Sequence, residues 1–286
     1  MKNILTVFLI IISFYFTCFA QNGSESLMQN YSCNYMGEKP PQQDPIKFGA
    51  GSISTSEDEF NFEISPSGKE MLFARHGNIM LVKQSKNGEW SKPYIAPFSS
   101  SFVEGEPCFS PDGQKIYFSS MRPLKGSSLP SNMWVSERQD GNWGKPKPFT
   151  EIASKKAIHA ITFASNGNAY DSGLIQYKFQ NDLYTKSKRL NPHTKGSHPF
   201  VYPNDSLMIF AARPPKSYKK DLYVIFKKQD GSWTVPQNIG NKINTKKNET
   251  SPFITPDGKY LFFGRDHDFY WVKADFINDI RSKLFK

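Results

Sequence analysis

The sequence has few cysteines and lacks the short motifs of several large enzyme classes. Only three of its 286 residues are cysteines, and none has the Cys or His spacing that a zinc site needs. A Gly-rich phosphate loop, a nucleophile elbow and a thiol-based catalytic motif are also missing. These absences argue against the motif-bearing classes of nucleotide-binding proteins, hydrolases and zinc proteins.

Long apolar runs are also missing, apart from one at the start of the chain. Lys2 precedes a largely apolar run over Ile4–Phe16, and the small residue Ala20 follows. This pattern predicts a secretory signal peptide over residues 1–20 and a periplasmic or secreted protein. We expect no lipid anchor at Cys18, because the preceding residues lack the leucine and small residues of such sites. No other run approaches the roughly 18 residues that would span a membrane.

Two cysteines remain after the predicted signal, Cys33 and Cys108. An oxidising compartment permits a disulfide between them, whereas the position of Cys108 inside an apolar strand favours a buried free thiol. The net charge is +10. For an exported protein this charge favours acidic protein surfaces or acidic glycans over nucleic acid as partners. Scattered lysines on an ordinary solvated surface explain the charge equally well.

Aromatic residues are abundant, at 15% of the chain, and favour strands. A short turn motif follows an apolar strand five times, at intervals of 38 to 54 residues. The turns are "SPSG" at Ser65, "SPDG" at Ser110, "ASNG" at Ala164, "YPND" at Tyr202 and "TPDG" at Thr255. Such a period is typical of the four-stranded blade of a β-propeller.

The second half of the unit also repeats, as an apolar strand, an Asp-Gly or Asn-Gly turn, a tryptophan and a proline. Trp90, Trp143 and Trp233 occupy the tryptophan position, and the third unit lacks both the tryptophan and the proline. We expect these tryptophans to pack between blades, since large aromatic residues are usually buried. Stacking against a carbohydrate is the alternative.

The chain ends supply the parts that close a ring. The last unit lacks an outer strand, and residues Phe48–Ser54 resemble one that pairs beside Phe269–Lys273. We therefore predict an all-β propeller of five four-stranded blades over residues 45–286, closed by an N-terminal strand. Six blades is the alternative. Residues 21–44 are predicted to be an exposed leader, and "FINDIRSKLF" a short amphipathic helix.

The units "EPCFSPDGQKIYFSS" and "TSPFITPDGKYLFFG" resemble the WD-like repeat of TolB-type periplasmic propellers. The whole pattern is similar to exported propeller proteins common in Bacteroidetes. The resemblance covers about residues 45–276, strongly in units one, two and five. It implies a propeller that docks proteins or other ligands, and it implies no particular reaction.

Polar residues recur where the strands predict one shared face, which we call the upper face. The predicted ligand-binding residues are Arg75, Arg122, Arg213, Arg265, His159, His198, His267 and Glu106. Arginine in four units predicts a cationic funnel for carboxylate or sulfate groups. The alternative is that each arginine pairs with a glutamate of a neighbouring blade and holds the ring together.

Two functions follow from this face. The first is a non-enzymatic binding module for a protein or an acidic glycan, monomeric and without cofactor or metal. The second is a lyase or hydrolase of anionic polysaccharide, in which the histidines act as acid and base or hold a metal. The sequence predicts no catalytic residue more specifically than that.

Overall fold

The computed structural model describes residues 31–152, 157–190 and 195–285. Within them the chain forms five small antiparallel sheets arranged in a ring. This arrangement confirms the predicted five-bladed β-propeller, in which sequence repeats become blades. The predicted signal peptide over residues 1–20 lies outside the described residues.

Each blade is a four-stranded meander, and the strands are numbered in chain order. The chain begins with β1 (Ile46–Lys47). Blade one contains β2 (Glu59–Ile64), β3 (Glu70–Arg75), β4 (Asn78–Lys83) and β5 (Tyr94–Ile95). Blade two contains β6 (Glu104–Phe109), β7 (Lys115–Ser120), β8 (Asn132–Gln139), β9 (Asn142–Trp143) and β10 (Lys147–Pro148). The short strand β9 extends the hairpin from β8.

Blade three contains β11 (Ile161–Phe163), β12 (Ala169–Asp171), β13 (Ile175–Gln180) and β14 (Leu183–Arg189). Blade four contains β15 (Gly196–Val201), β16 (Leu207–Ala212), β17 (Asp221–Phe226) and β18 (Gln237–Asn238). Blade five contains β19 (Glu249–Ile254), β20 (Tyr260–Arg265), β21 (Asp268–Lys273) and, as its outer strand, β1. A helix, α1 (Phe276–Leu284), ends the described chain. No helix in the described ranges is long and apolar enough to cross a membrane.

An N-terminal strand closes the ring, as predicted, but it lies earlier in the chain than predicted. Ile46 pairs with Trp271 and Lys47 with Tyr270, and the Phe48 amide donates to the Phe269 carbonyl at 2.9 Å. The residues after Phe48 turn back instead of continuing the strand. Gly49 has a φ of 64°, and its carbonyl accepts the amides of residues 52–54. A left-handed glycine of this kind ends a strand.

Part of the predicted leader is packed instead of exposed. Tyr35, in a 3₁₀ turn over Tyr35–Gly37, is only 7% exposed. Its ring lies 5.2 Å from the ring centroids of both Tyr260 and Trp271 in blade five. Glu38 accepts the Gly49 amide at 2.7 Å. An aromatic side chain and a part-buried hydrogen bond thus attach this segment to the ring, while Lys39 and residues 42–44 are exposed, as expected of a leader.

The tryptophans of the repeat, Trp90, Trp143 and Trp233, contact other side chains of the fold. Trp143 is buried against Phe98 and Phe109, and Trp233 meets Tyr170 of the preceding blade edge to face. These contacts agree with packing between blades. Trp90 donates instead to Asn34 of the N-terminal segment.

Cys33 and Cys108 are both free thiols, so the disulfide alternative is not formed.

Charged and amide side chains link neighbouring blades near the repeated turns, on what we call the lower face. Arg138 of blade two pairs with the buried Glu70 of blade one. Asp205 of blade four accepts hydrogen bonds from Asn166 and Asn168 of blade three, at 2.9 and 3.0 Å. Blade-to-blade pairing of buried charges thus exists, at the opposite end of the strands from the predicted arginines.

The turn glycines are structural, and one of them gives a direct test. Gly113 has a φ of 68°, and an added Cβ would lie 3.4 Å from Pro66 Cδ of the neighbouring blade. We expect Gly113→Val to lower the free energy of unfolding by about 1–3 kcal/mol, through left-handed strain in a β-branched residue. Denaturant titration measures this change. An unchanged midpoint, or a selective loss of ligand binding, would contradict a purely structural role.

Candidate functional site

The first strand of each blade lines a central channel, and in four blades it carries a bulge at one equivalent position. In four blades a residue there has a positive φ, which is uncommon outside glycine. These residues are Asn61 (57°), Glu106 (54°), His198 (48°) and Ser251 (49°). The strand register shifts at each of these sites. Four repetitions of one unusual conformation indicate a shared geometric role in the repeat.

These four side chains form a connected group, which we call the channel ring. Ser251 Oγ donates to Asn61 Oδ1 at 2.9 Å, and Asn61 Nδ2 donates to Glu106 Oε2. His198 Nε2 lies 3.2 Å from Glu106 Oε1, while its buried Nδ1 has no hydrogen-bond partner in the described part of the chain. Blade three has Ala160 at the equivalent position, which leaves the ring open on that side.

Sequence reasoning identified Glu106 and His198 but missed Asn61 and Ser251. All four stand four residues before the first residue of their turn, as Asn61 does before Ser65. Alignment of the turns contains this signal. It is hard to use in advance, because the residue types differ from blade to blade.

Three of the four predicted arginines are held by glutamates, in contacts that we call the Glu–Arg ties. Arg75 Nε donates to Glu59 Oε1 at 2.9 Å, and Arg265 Nε donates to Glu249 Oε1 at 3.0 Å. Arg122 makes the same contact with Glu104 at 2.7 Å. The three glutamate side chains have no solvent exposure.

Each tie also reaches the connector that enters its blade. The guanidinium groups donate to connector carbonyls, which are those of Ser52 and Ile53 for Arg75, Phe98 for Arg122 and Ile243 for Arg265. A hydroxyl four residues before each glutamate donates to the same carboxylate, from Thr55, Ser100 or Thr245. Each buried carboxylate therefore has both a cation and a hydroxyl donor.

The partner glutamate differs from the one that the sequence alternative named. Glu59 and Arg75 face each other on adjacent strands of the same blade, and the same holds for Glu249 and Arg265. The alternative that each arginine pairs with a glutamate of a neighbouring blade is therefore wrong, because each pair lies within one blade. The link between blades runs through the connector carbonyls. A funnel role for Arg75, Arg122 and Arg265 stays a prediction, which their engagement with glutamate does not favour.

Blade four departs from this pattern. Gly196 stands at the position of the glutamate, opposite Ala212, and the following residue, Arg213, is exposed. In the described ranges no carboxylate forms a salt bridge with Arg213, in contrast to the three ties. Blade four therefore has the arginine of the repeat, but a glycine stands where the other three blades have the paired glutamate.

Arg213 lies in an open pocket of about 780 Å³, which we call the blade-four pocket. Its lining includes Lys195, Lys220, Ser197 and Tyr223. Burial lowers the pKa of Lys220, and the nearby Arg213 charge lowers it further, while Glu106 opposes the shift. Three cationic side chains without a carboxylate in the pocket lining create a local excess of positive charge. Such a place favours an anionic ligand.

The remaining predicted histidines are spread apart. His159 is exposed, and His267, in the turn between β20 and β21, lies 3.3 Å from Asp58. Only His198 belongs to the channel ring. No group of three His, Cys, Asp or Glu side chains in the described ranges has the geometry to hold a metal ion.

A second acidic side chain, Glu63, lies deeper in the channel and was not predicted. It lines both the space around the channel ring and an apolar compartment beneath it. Burial raises the pKa of Glu63 to about 8, although the Phe109 amide donates to the carboxylate. Sequence reasoning missed it because Glu63 alternates with buried residues in β2, as any solvated strand residue does.

No protein-family model matches the chain, and no curated protein sequence matches it. Among solved structures the chain is similar to a TolB of Agrobacterium tumefaciens, with 15% identity, a TM-score of 0.44 and coverage of 74% of this chain and 71% of that one. It is also similar to a thermostable family-43 glycoside hydrolase, with 10% identity, a TM-score of 0.49 and coverage of 78% and 90%. These likenesses concern the fold, and the blade count rests on the strand pairing itself.

Proposed function

We propose that this protein is an exported, non-enzymatic propeller that binds an acidic group of a protein or glycan at the blade-four pocket. Export is supported by the signal-like first 20 residues. Binding is supported by one observation above all. Arg213 is the predicted arginine whose blade has a glycine where the tied blades have glutamate.

The chemistry of the pocket suits a carboxylate or a sulfate. Arginine offers a planar pair of N–H donors that matches two oxygens of such a group. Lys195 and Lys220 add charge from two sides, and Tyr223 adds an aromatic wall. The volume of about 780 Å³ lies within the roughly 300–1,000 Å³ of known ligand pockets. A uronate residue or an acidic side chain of a protein fits within this space.

The other predicted residues take different parts in this proposal. Arg75, Arg122 and Arg265 stabilise the ring and do not bind ligand. Glu106 and His198 face the channel beside Lys220 and contact the part of a ligand that reaches inward. His159 and His267 remain predicted contacts of a larger partner on the upper face.

An enzyme acting on anionic polysaccharide is the second candidate, and one contact favours it. His198 and Glu106 lie 3.2 Å apart in the channel, and the charge of Glu106 acts on Lys220 of the blade-four pocket. A uronate held by Arg213 would bring its ring toward a histidine that can accept a proton. Turnover of polygalacturonate, measured as new unsaturated product at 235 nm or as new reducing ends, would favour this candidate over pure binding.

Binding of oligogalacturonate, of a sulfated oligosaccharide and of an acidic peptide tests the proposal by isothermal titration. We expect Arg213→Gln to weaken binding by about 10- to 100-fold, since a charged hydrogen bond contributes roughly 1.5–3 kcal/mol. Lys92→Gln is the matched control, because Lys92 is an exposed lysine of blade one. It removes the same charge and should change the affinity less than twofold. Equal losses in both variants would show that the net charge alone attracts the ligand.

A further inference from the structure

The lower part of the channel is an apolar compartment that ends at one acidic side chain. Its walls include Phe163, Phe200 and Phe253 from the first strands of three blades. Prolines of four repeated turns surround its mouth on the lower face, and these are Pro66, Pro111, Pro203 and Pro256. Its volume is about 70 Å³. The space therefore fits the end of an unbranched aliphatic chain.

Glu63 stands at the inner end of this compartment without a cation. Its Oε2 accepts the Phe109 amide at 2.9 Å, while the neighbouring Cys108 thiol donates to the Phe109 carbonyl at 3.3 Å. No lysine, arginine or histidine in the described ranges forms a salt bridge with it. The buried glutamates of the Glu–Arg ties and Glu70, by contrast, each have a cationic partner. Glu63 is half-buried, and a carboxylate with so little contact with water is stabilised by a cationic partner.

We propose that the lower compartment binds an alkyl ammonium group, a primary amine on a slender apolar chain, with the Glu63 carboxylate as its counter-ion. The ammonium contacts Glu63 and Thr162, and the methylene groups lie against the phenylalanines. The four turn prolines at the mouth surround the rest of the aliphatic chain. A free aliphatic amine and the side chain of a partner's lysine share this chemistry. The site is independent of the blade-four pocket, which lies on the upper face and binds the opposite charge.

The charge balance of binding is explicit. Burial raises the pKa of Glu63 to about 8, so near neutral pH the empty site holds a protonated acid. An alkyl ammonium has a pKa of about 10.4 and enters charged. Glu63 then releases its proton to solvent, and the carboxylate pairs with the ammonium. Binding near pH 7 releases close to one proton for each amine bound.

Several elements contribute titratable or neighbouring groups around Glu63. Cys108 on β6 lies against it, and burial raises the pKa of that thiol well above its usual value. Glu106 and His198 of the channel ring lie above, where they pair with each other. The adjoining first strands of blades three and five contribute Thr162 and Phe253, neither of which titrates.

Isothermal titration of the full chain with n-butylamine tests the proposal, with N-acetyl-lysine amide as the second ligand. We expect the affinity to rise about tenfold from pH 6 to 7 and about fivefold from pH 7 to 8, as linkage of one proton requires, and to level off above. Heats measured in buffers of different ionisation enthalpy should give a release of about one proton at pH 7. Tighter binding of the lysine derivative indicates a partner's side chain as the source, and tighter binding of butylamine indicates a free amine.

Two controls make the result specific. n-Butanol has the same chain without the charge and should bind at least tenfold more weakly at pH 8.5. Glu63→Gln should weaken butylamine at least tenfold at that pH, whereas Glu89→Gln, which removes an exposed carboxylate of blade one, should have no effect. Equal affinity for butanol and butylamine, a pH-independent affinity, or no binding at millimolar amine would overturn the proposal. If Glu63→Gln does not fold, the pH dependence and proton release of the unsubstituted protein still decide.

Discussion

Replacing both Arg122 and Arg265 by glutamine is expected to lower the free energy of unfolding by about 6–10 kcal/mol, or to prevent folding. Each change removes the cation from a glutamate with no solvent exposure. Breaking one buried ion pair in this way destabilises by roughly 3–5 kcal/mol, because the remaining charge is uncompensated. The two ties lie in different blades, so their effects should add. Denaturant unfolding of the single and double variants measures them.

A rescue variant distinguishes an uncompensated charge from lost packing. In Arg122→Gln combined with Glu104→Gln, both partners are neutral, and we expect at least half of the lost stability to return. Lys147→Gln is the surface control, since Lys147 pairs with Glu137 at an exposed site. Such pairs contribute only about 0.2–1 kcal/mol. A stable Arg122→Gln and Arg265→Gln double variant with weakened binding of acidic ligands would instead support the cationic funnel.

Deleting the chain up to Thr55 is expected to destroy cooperative unfolding and to cause aggregation. The deletion removes β1 and exposes β21 as an unpaired edge, which is a template for intermolecular pairing. It also removes Phe48, a fully buried ring that lies 5.1 Å from Phe262 and 5.3 Å from Trp271. Size-exclusion chromatography and a thermal scan detect both effects.

A series of truncations distinguishes the effect of losing the closing strand β1 from the effect of losing the packed segment around Tyr35. A chain beginning at Tyr31 keeps every described contact and is the reference. A chain beginning at Pro41 loses Tyr35, so we expect a loss of about 3–5 kcal/mol, as for other buried aromatic rings. It should remain monomeric, because β1 is retained. An unfolding midpoint equal to that of the reference would contradict the docking of Tyr35.

The blade count could be predicted because each turn depends on local chemistry. The last residue of each turn has a positive φ, and in four of the five turns it is a glycine, as in the turns at Ser65 and Ser110. The closing strand was misplaced by several residues for an equally local reason. Gly49 begins a turn that the alternation of apolar and small residues over Phe48–Ser54 does not reveal.

The site was only partly predictable, because it depends on partners that are distant in the chain. The arginine positions were visible in the sequence, but the tie of Arg75 to Glu59 is set by strand register. That Arg213 has no salt-bridge partner among the described residues becomes informative only when Gly196 is seen opposite Ala212. Glu63 and Cys108 come together because the first strands of blades one and two pack side by side. No pattern within one repeat carries that information.

The measurement that tests the account most directly compares Arg213→Gln with Arg265→Gln, recording for each the thermal midpoint and the affinity for oligogalacturonate from low to high salt. We predict opposite effects of the two substitutions. Arg213→Gln should keep the midpoint, weaken binding by at least tenfold and flatten the salt dependence, while Arg265→Gln should lower the midpoint and, below it, bind as the unsubstituted protein does. Normal binding by Arg213→Gln together with weak binding by folded Arg265→Gln would contradict the assignment of the ligand site to blade four.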